Sequence, residues 1–182
     1  MTFDDITEDG RLWAVRYDGE SDNELFRLFD QWSDVMWLRR FFKENISDLQ
    51  SYFKITDINR AIEDTIEDSE ILEGVILDIS PDADLDLLFK PLDNNRTFPD
   101  VLEKMKAKGE RIHRHTSWLR IYAIRLADGV YIITGGAIKL TATMEEREHT
   151  KNELRKIDMV RRFLLSERII DNEGFIEYIS EL

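Results

Sequence analysis

The chain has 182 residues, with 25 basic and 38 acidic side chains for a net charge of −13; 42% of the residues are hydrophobic and 10% aromatic. So acidic a chain repels phosphate backbones on average, which excludes a generally basic nucleic-acid coat, while its apolar content is too high for a disordered acidic tail and sets the expectation of one folded domain, 1–182. The absence of cysteine excludes disulfides, thiolate metal sites, iron–sulfur clusters and thiol catalysis.

The opening residues Met1-Thr2-Phe3-Asp4-Asp5 carry neither the basic nor the apolar region of a signal peptide, and no apolar run is long enough to span a bilayer. A cytoplasmic protein without membrane association is expected. Residues 11–17, a short apolar run between Gly10 and the Asp18-Gly19 turn signal, predict a strand. The period then changes: Leu25, Leu28, Phe29, Trp32, Val35, Met36, Leu38, Phe42 and Ile46 recur at three- and four-residue steps, predicting a helix with one broad buried face. A second helix is predicted over 58–77, with Glu63, Asp64, Glu67, Asp68, Glu70 and Glu73 as a solvated acidic face. Residues 20–80 thus form an acidic helical part. A loop, a short element and another loop follow over 80–96, then a modest helix over 100–109, bounded by Pro99 and Gly109. The alternating runs 118–126 and 130–140, joined by Asp128-Gly129, predict a hairpin, and Gly135-Gly136 marks a bulge or a close backbone approach. A last helix begins after Thr150, with Leu154, Ile157, Val160, Phe163 and Leu164 on its apolar face.

Charge divides the chain. Residues 1–100 hold 10 basic against 25 acidic side chains, net −15, and residues 101–182 hold 15 against 13, net +2. The densest basic stretch is 101–125, where Lys104, Lys106, Lys108, Arg111, Arg114, Arg120 and Arg125 meet only Glu103 and Glu110. His113 and His115 flank Arg114, a poor arrangement for a metal, and no phosphate-loop, dinucleotide or nucleophile-elbow motif occurs. No metal or other cofactor is expected. On the first hairpin strand Arg120, Tyr122 and Ile124 share one face, while Leu119, Ile121, Ala123 and Arg125 share the other, and Lys139 follows the second strand. Cations converging with an aromatic ring suit a phosphodiester, because they stabilise charge growing on the phosphate and the ring can stack a base. The same residues also read as edge-strand charges whose stems cover the core.

The run Trp118-Leu119-Arg120-Ile121-Tyr122-Ala123-Ile124, the Asp128-Gly129 turn, then Val130-Tyr131-Ile132-Ile133-Thr134-Gly135-Gly136-Ala137-Ile138-Lys139 and a closing helix resemble the C-terminal half of the RelE/ParE superfamily of toxin–antitoxin toxins, most of all its HigB and related phage-borne branch. The specific part covers about residues 85–165. The resemblance implies an α+β fold in which an antiparallel sheet packs against an N-terminal helical hairpin, with a C-terminal helix. It implies metal-independent cleavage of messenger RNA on the ribosome, and a cognate antitoxin of helix-turn-helix type as partner. By position it implies Arg120 and Lys139 as the phosphate-stabilising pair, with Arg125 and Arg147 in support; His149 or His115 is the candidate proton carrier, since an imidazole suits proton transfer near neutral pH. Lys104, Lys106, Arg111, Arg114, Trp118, Tyr122 and Arg147 are then candidates for RNA contact. The chain departs from the family in its length, its acidity and its enlarged helical part, and the family's C-terminal tyrosine has no match, Tyr178 lying in the distal tail. The alternative is an inactive protein- or RNA-binding module that keeps the fold.

Overall fold

The structure, a computed structural model, describes residues 1–79, 83–93, 101–109 and 115–181. Two strands come first: β1 (Thr2–Asp5) and β2 (Leu12–Arg16) pair antiparallel, with Phe3 opposite Val15. Four helices follow, α1 (Glu24–Ser33), α2 (Val35–Glu44), α3 (Ile46–Phe53) and α4 (Ile58–Leu77). The apolar period predicted over 25–46 is present, but three helices share it. Asp34 interrupts the first by accepting the backbone N–H groups of Met36 and Trp37 at 2.8 and 3.1 Å, and Asn45 stands between the next two. Asp34 satisfies donors at the start of α2, and the Asn45 side-chain amide donates to the Phe41 carbonyl at its end at 2.8 Å, so short polar side chains bound the helix on both sides.

After the single turn α5 (Leu85–Leu88) come β3 (Phe89–Pro91), β4 (Glu103–Lys108), β5 (Leu119–Arg125) and β6 (Tyr131–Ile138), then α6 (Glu148–Ser166) and α7 (Asn172–Ser180). The helix predicted over 100–109 is therefore a strand where it is described. Met105 and Ala107 are buried on one face of β4 and its lysines stand on the other, and pairing with β5 outweighs the helix propensity of Glu-Lys-Met-Lys-Ala-Lys. Pro91, with no N–H to give, ends the edge strand β3.

The six strands lie in the order β1-β2-β6-β5-β4-β3. This corrects two expectations. The sheet is mixed, because β2 runs parallel to β6, and two strands precede the helices, of which α1 to α5 come before β3 and form no simple hairpin. Parallel pairing needs a long crossover, and the helical segment with the three following strands, β3 to β5, supplies it. Both faces of the sheet are covered. On one, Leu25, Leu28, Trp32, Leu38, Phe42 and Ile62 from α1, α2 and α4 pack with Trp118, Ile121 and Ile133. On the other, Ile157, Val160, Leu164 and Phe175 from α6 and α7 pack with Phe3, Val15, Tyr122, Ile124 and Ile132. Every residue of β6 is buried, which explains its unbroken apolar run.

The predicted glycine irregularity is a bulge. Tyr122 pairs with Gly135 and Ala123 with Ile133, leaving Thr134 over. The β2–β6 ladder ends at Ala14–Ile133, and the Tyr17 hydroxyl donates to the Thr134 carbonyl at 2.7 Å instead. Into this gap reach two buried carboxylates from opposite faces, Glu24 of α1 and Glu153 of α6, bridged by Lys156 at 2.9 and 3.1 Å. Burial would raise the Glu24 carboxyl, but Arg27 and Lys156 hold it below the usual range; burial pushes the Glu153 carboxyl up against the pull of Lys156. Gly135 has a φ of +157°, and a methyl group there would overlap the Glu153 carboxylate. Gly135→Ala is therefore expected to lower the unfolding free energy by roughly 2–4 kcal/mol in urea titrations, and an unchanged midpoint would contradict this packing.

Candidate functional site

Alternation along β4 sends Lys104, Lys106 and Lys108 to the face opposite Met105 and Ala107. The register sets Lys106 opposite Tyr122 and Lys108 opposite Arg120. Across β5, their neighbours on β6 are small: Gly135 beside Tyr122 and Ala137 beside Arg120. Lys139 follows the end of β6, where its backbone N–H donates to the Trp118 carbonyl at 2.8 Å. The flank of α6 meets the start of β4 through Lys104 and Asp158, 2.5 Å apart, and through Arg161, which donates to the carbonyls of Leu102 and Val101 at 3.2 and 3.1 Å.

Between α6, the strands and the segment after Lys139 lies a cavity of about 650 Å³. Five cationic side chains line it, Lys104, Lys106, Lys108, Arg120 and Lys139, with Tyr122; three carboxylates, Asp93, Glu103 and Glu145, stand among the lining residues. The Arg120 guanidinium donates to the carbonyls of Ser117 and Leu119 at 2.9 and 2.7 Å, and among the described residues it has no ion-pair partner. Lys139 donates to the carbonyls of Thr141 and Ala142 at 2.8 and 2.5 Å. Burial lowers the Arg120 pKa. Burial, and after it the Arg120 charge, lowers those of Lys106, Lys108 and Lys139. The Tyr122 hydroxyl is buried without a hydrogen-bond partner among the described residues, and burial pushes its ionisation upward. Desolvated like charges beside an unsatisfied hydroxyl form a surface whose electrostatic strain an incoming anion relieves.

Behind the cationic end stands a buried carboxylate. Asp64 and Asp68, expected on the solvated face of the helix over 58–77, both point inward, whereas Glu63, Glu67 and Glu70 are exposed. Asp64 accepts from His115 Nε2 at 3.0 Å. Asp68 accepts from the Ser117 hydroxyl, whose oxygen in turn accepts the Leu119 N–H at 3.0 Å; the second Asp68 oxygen has no partner among the described residues. Burial pushes the Asp68 carboxyl up to about 6, moderated by the Ser117 hydrogen bond and by the charges of His115, Arg120 and Lys108.

The structure thus unites Lys104, Lys106, Arg120, Tyr122 and Lys139 from among the residues singled out in sequence, and adds Lys108 to them. Others lie elsewhere. Trp118 is 1% exposed, its Nε1 donating to the Thr65 hydroxyl at 3.0 Å and its ring stacked on His115 with centroids 4.2 Å apart, so it is core and has no free face for a base. His149 bonds the Ile138 carbonyl at 3.0 Å and meets the Phe41 ring edge-on, outside the cavity lining. Arg147 grips Asp48 of α3 with two hydrogen bonds of 2.6 and 2.5 Å. Arg125, on the opposite face of β5, pairs with Asp86 at 3.0 Å. Arg111 and Arg114, with His113, lie outside the described residues. The signal for Lys108 was the Lys-x-Lys-x-Lys alternation itself, which a helical reading of 100–109 wraps around a cylinder. Among the described residues no cluster of three or more His, Asp or Glu is arranged to hold a metal ion, and no helix is long and apolar enough to cross a membrane.

Comparison of the chain with protein-family models, with curated proteins and with solved structures finds no match in any of the three.

The raised Asp68 pKa has a signed consequence. The folded state keeps a proton on this carboxyl where the unfolded chain has lost it, so its contribution to stability is full below about pH 4 and is lost as pH rises toward about 6. Measured by denaturant unfolding, the stability of wild type relative to Asp68→Asn is expected to fall by roughly 1–3 kcal/mol between pH 4 and pH 7. A pH-independent difference would refute the buried carboxyl.

Proposed function

We propose that the cavity holds the phosphodiester backbone of single-stranded RNA, and that the chain is a toxin-like protein of a toxin–antitoxin or phage-derived system acting in the cytoplasm as a metal-independent endoribonuclease on ribosome-bound messenger RNA. The observation that carries this reading is the convergence of Lys106, Lys108, Arg120 and Lys139 on one cavity, with the partnerless Tyr122 hydroxyl among them. Arginine and lysine neutralise phosphate oxygens, and a cleft lined by them concentrates polyanions even on an acidic protein.

The cleavage step needs no group beyond these. The ribose 2′-hydroxyl attacks the adjacent phosphorus and gives its proton to the neutral amine of Lys106 or Lys108, the form that burial and the Arg120 charge favour. Arg120 stabilises the added negative charge at phosphorus. The P–O5′ bond breaks as the leaving oxygen takes a proton from the ammonium of Lys139, producing a 2′,3′-cyclic phosphate and a 5′-hydroxyl end. The acidic outer side of α4 belongs to the helical layer behind the sheet, on the face away from the cavity, so it does not repel the bound strand directly. A helix-turn-helix antitoxin remains the proposed partner.

A second reading, an RNA- or protein-binding module without catalysis, draws support from one observation: neither His115 nor His149 lines the cavity, so no imidazole stands there to carry the proton. One experiment separates the two. Induced expression of wild type is expected to arrest bacterial growth and fragment messenger RNA, and the Lys108→Ala/Arg120→Ala double variant to do neither, while its affinity for a single-stranded RNA falls at least about tenfold. Equal growth and intact RNA in both strains would reject the ribonuclease. Equal RNA affinity of both proteins would reject the cavity as the RNA site.

A further inference from the structure

The mechanism leaves Asp68 unused, although it is 2% exposed, has one oxygen without a partner, and reaches the cavity through Ser117. The chain of contact is short. Asp68 accepts from the Ser117 hydroxyl; the Ser117 carbonyl and the carbonyl of Leu119, whose N–H the same hydroxyl holds, are the two acceptors of the Arg120 guanidinium. No bulk separates the carboxylate from the end of β4 either. Gly109, directly after Lys108, passes so close that a methyl group on it would overlap Asp68 and Ser117.

We infer that Asp68 is the buried counter-charge of the Lys108–Arg120 end of the cavity and sets how tightly that end holds a phosphate-bearing strand. The inference deepens the RNA reading above and rests on it. The charged and titratable groups that face Asp68 are Arg120 on β5, Lys108 on β4 and His115 in the segment before β5; none of them is its ion-pair partner among the described residues, so its charge acts on the cavity as a field rather than as a local bond. When Asp68 is ionised it offsets part of the positive potential that a phosphate meets. When it carries a proton that offset disappears, and the anion is held more tightly. Because its carboxyl titrates near pH 6, the change falls within a range that cells reach.

The test uses the full chain and a fluorescein-labelled 2′-O-methyl oligouridylate, which lacks the attacking hydroxyl and so reports binding alone, with anisotropy read from pH 5 to pH 8 at fixed ionic strength. Asp68→Asn, which keeps an acceptor for Ser117, is expected to bind roughly three- to tenfold tighter than wild type at pH 7.5 and equally at pH 5. Ser117→Ala, which removes the hydrogen bond that lowers the Asp68 pKa, is expected to move the midpoint of the wild-type affinity change to higher pH. A ratio that does not vary with pH, or an unmoved midpoint in Ser117→Ala, overturns the inference, and weaker binding by Arg120→Met than by wild type in the same titration shows that the cavity still holds the RNA. Absence of binding by all of these proteins overturns both the inference and the RNA reading beneath it.

Discussion

The register between β4, β5 and β6 is the constraint on which the cavity depends. A strand presents alternate residues to opposite faces, so a slip of one position would send Lys104, Lys106, Lys108 and Arg120 into the helical core and Met105, Ala107 and Ile121 out to the other side. The slip is prevented by the burial of both faces, since Trp118, Leu119 and Ile121 pack beneath the helices while Tyr122 and Ile124 pack beneath α6. The bulge at Thr134 then sets β6 so that its smallest residues face the arginine and the tyrosine. Stability and chemistry therefore draw on one feature: the hydrophobic interlock that fixes the sheet also fixes where the cations stand.

Like charges are gathered at a cost that the fold limits locally. The lysines of β4 point to a face that α6 covers only in part, Lys104 is neutralised by Asp158, and Arg120 and Lys139 spend their donors on backbone carbonyls. Asp68 supplies negative charge from the helical layer without occupying the cavity. The second buried group, Glu24 and Glu153 with Arg27 and Lys156, has a different task. It closes the gap where β2 and β6 diverge, and it ties helices from the two faces of the sheet to each other.

Much of the fold was legible in local patterns. The helix over 58–77 matches α4 at both ends because Asp57 caps it and its apolar residues keep one period throughout. The hairpin of β5 and β6 follows from two alternating runs around a glycine turn, and the glycine pair signalled its bulge. What escaped depends on partners far away in the chain. The β2–β6 pairing joins residues near 12 to residues near 131, and no local period encodes it. Residues 103–108 satisfy both a strand pattern and a helix propensity, and only the β5 edge beside them decides. In the site, Arg120, Tyr122 and Lys139 could be selected because alternation places them. Trp118 and Asp68 could not be assigned, since an aromatic side chain beside a cation and a carboxylate on a helix each read as surface features until Thr65, His115 and Ser117 are seen against them.

The parallel pairing of β2 with β6 also governs how the chain is made. Synthesis delivers β1 and β2 well before their neighbour β6, so the β2 edge of this pair leaves the ribosome unpaired and waits while α1 to α5 and β3 to β5 emerge. Contacts so distant in the chain form late and slowly. The cationic cavity, built from β4, β5 and the residue after β6, is among the last parts to be assembled, and a nascent chain acquires its basic face only when almost all of its own acidic half is already in place.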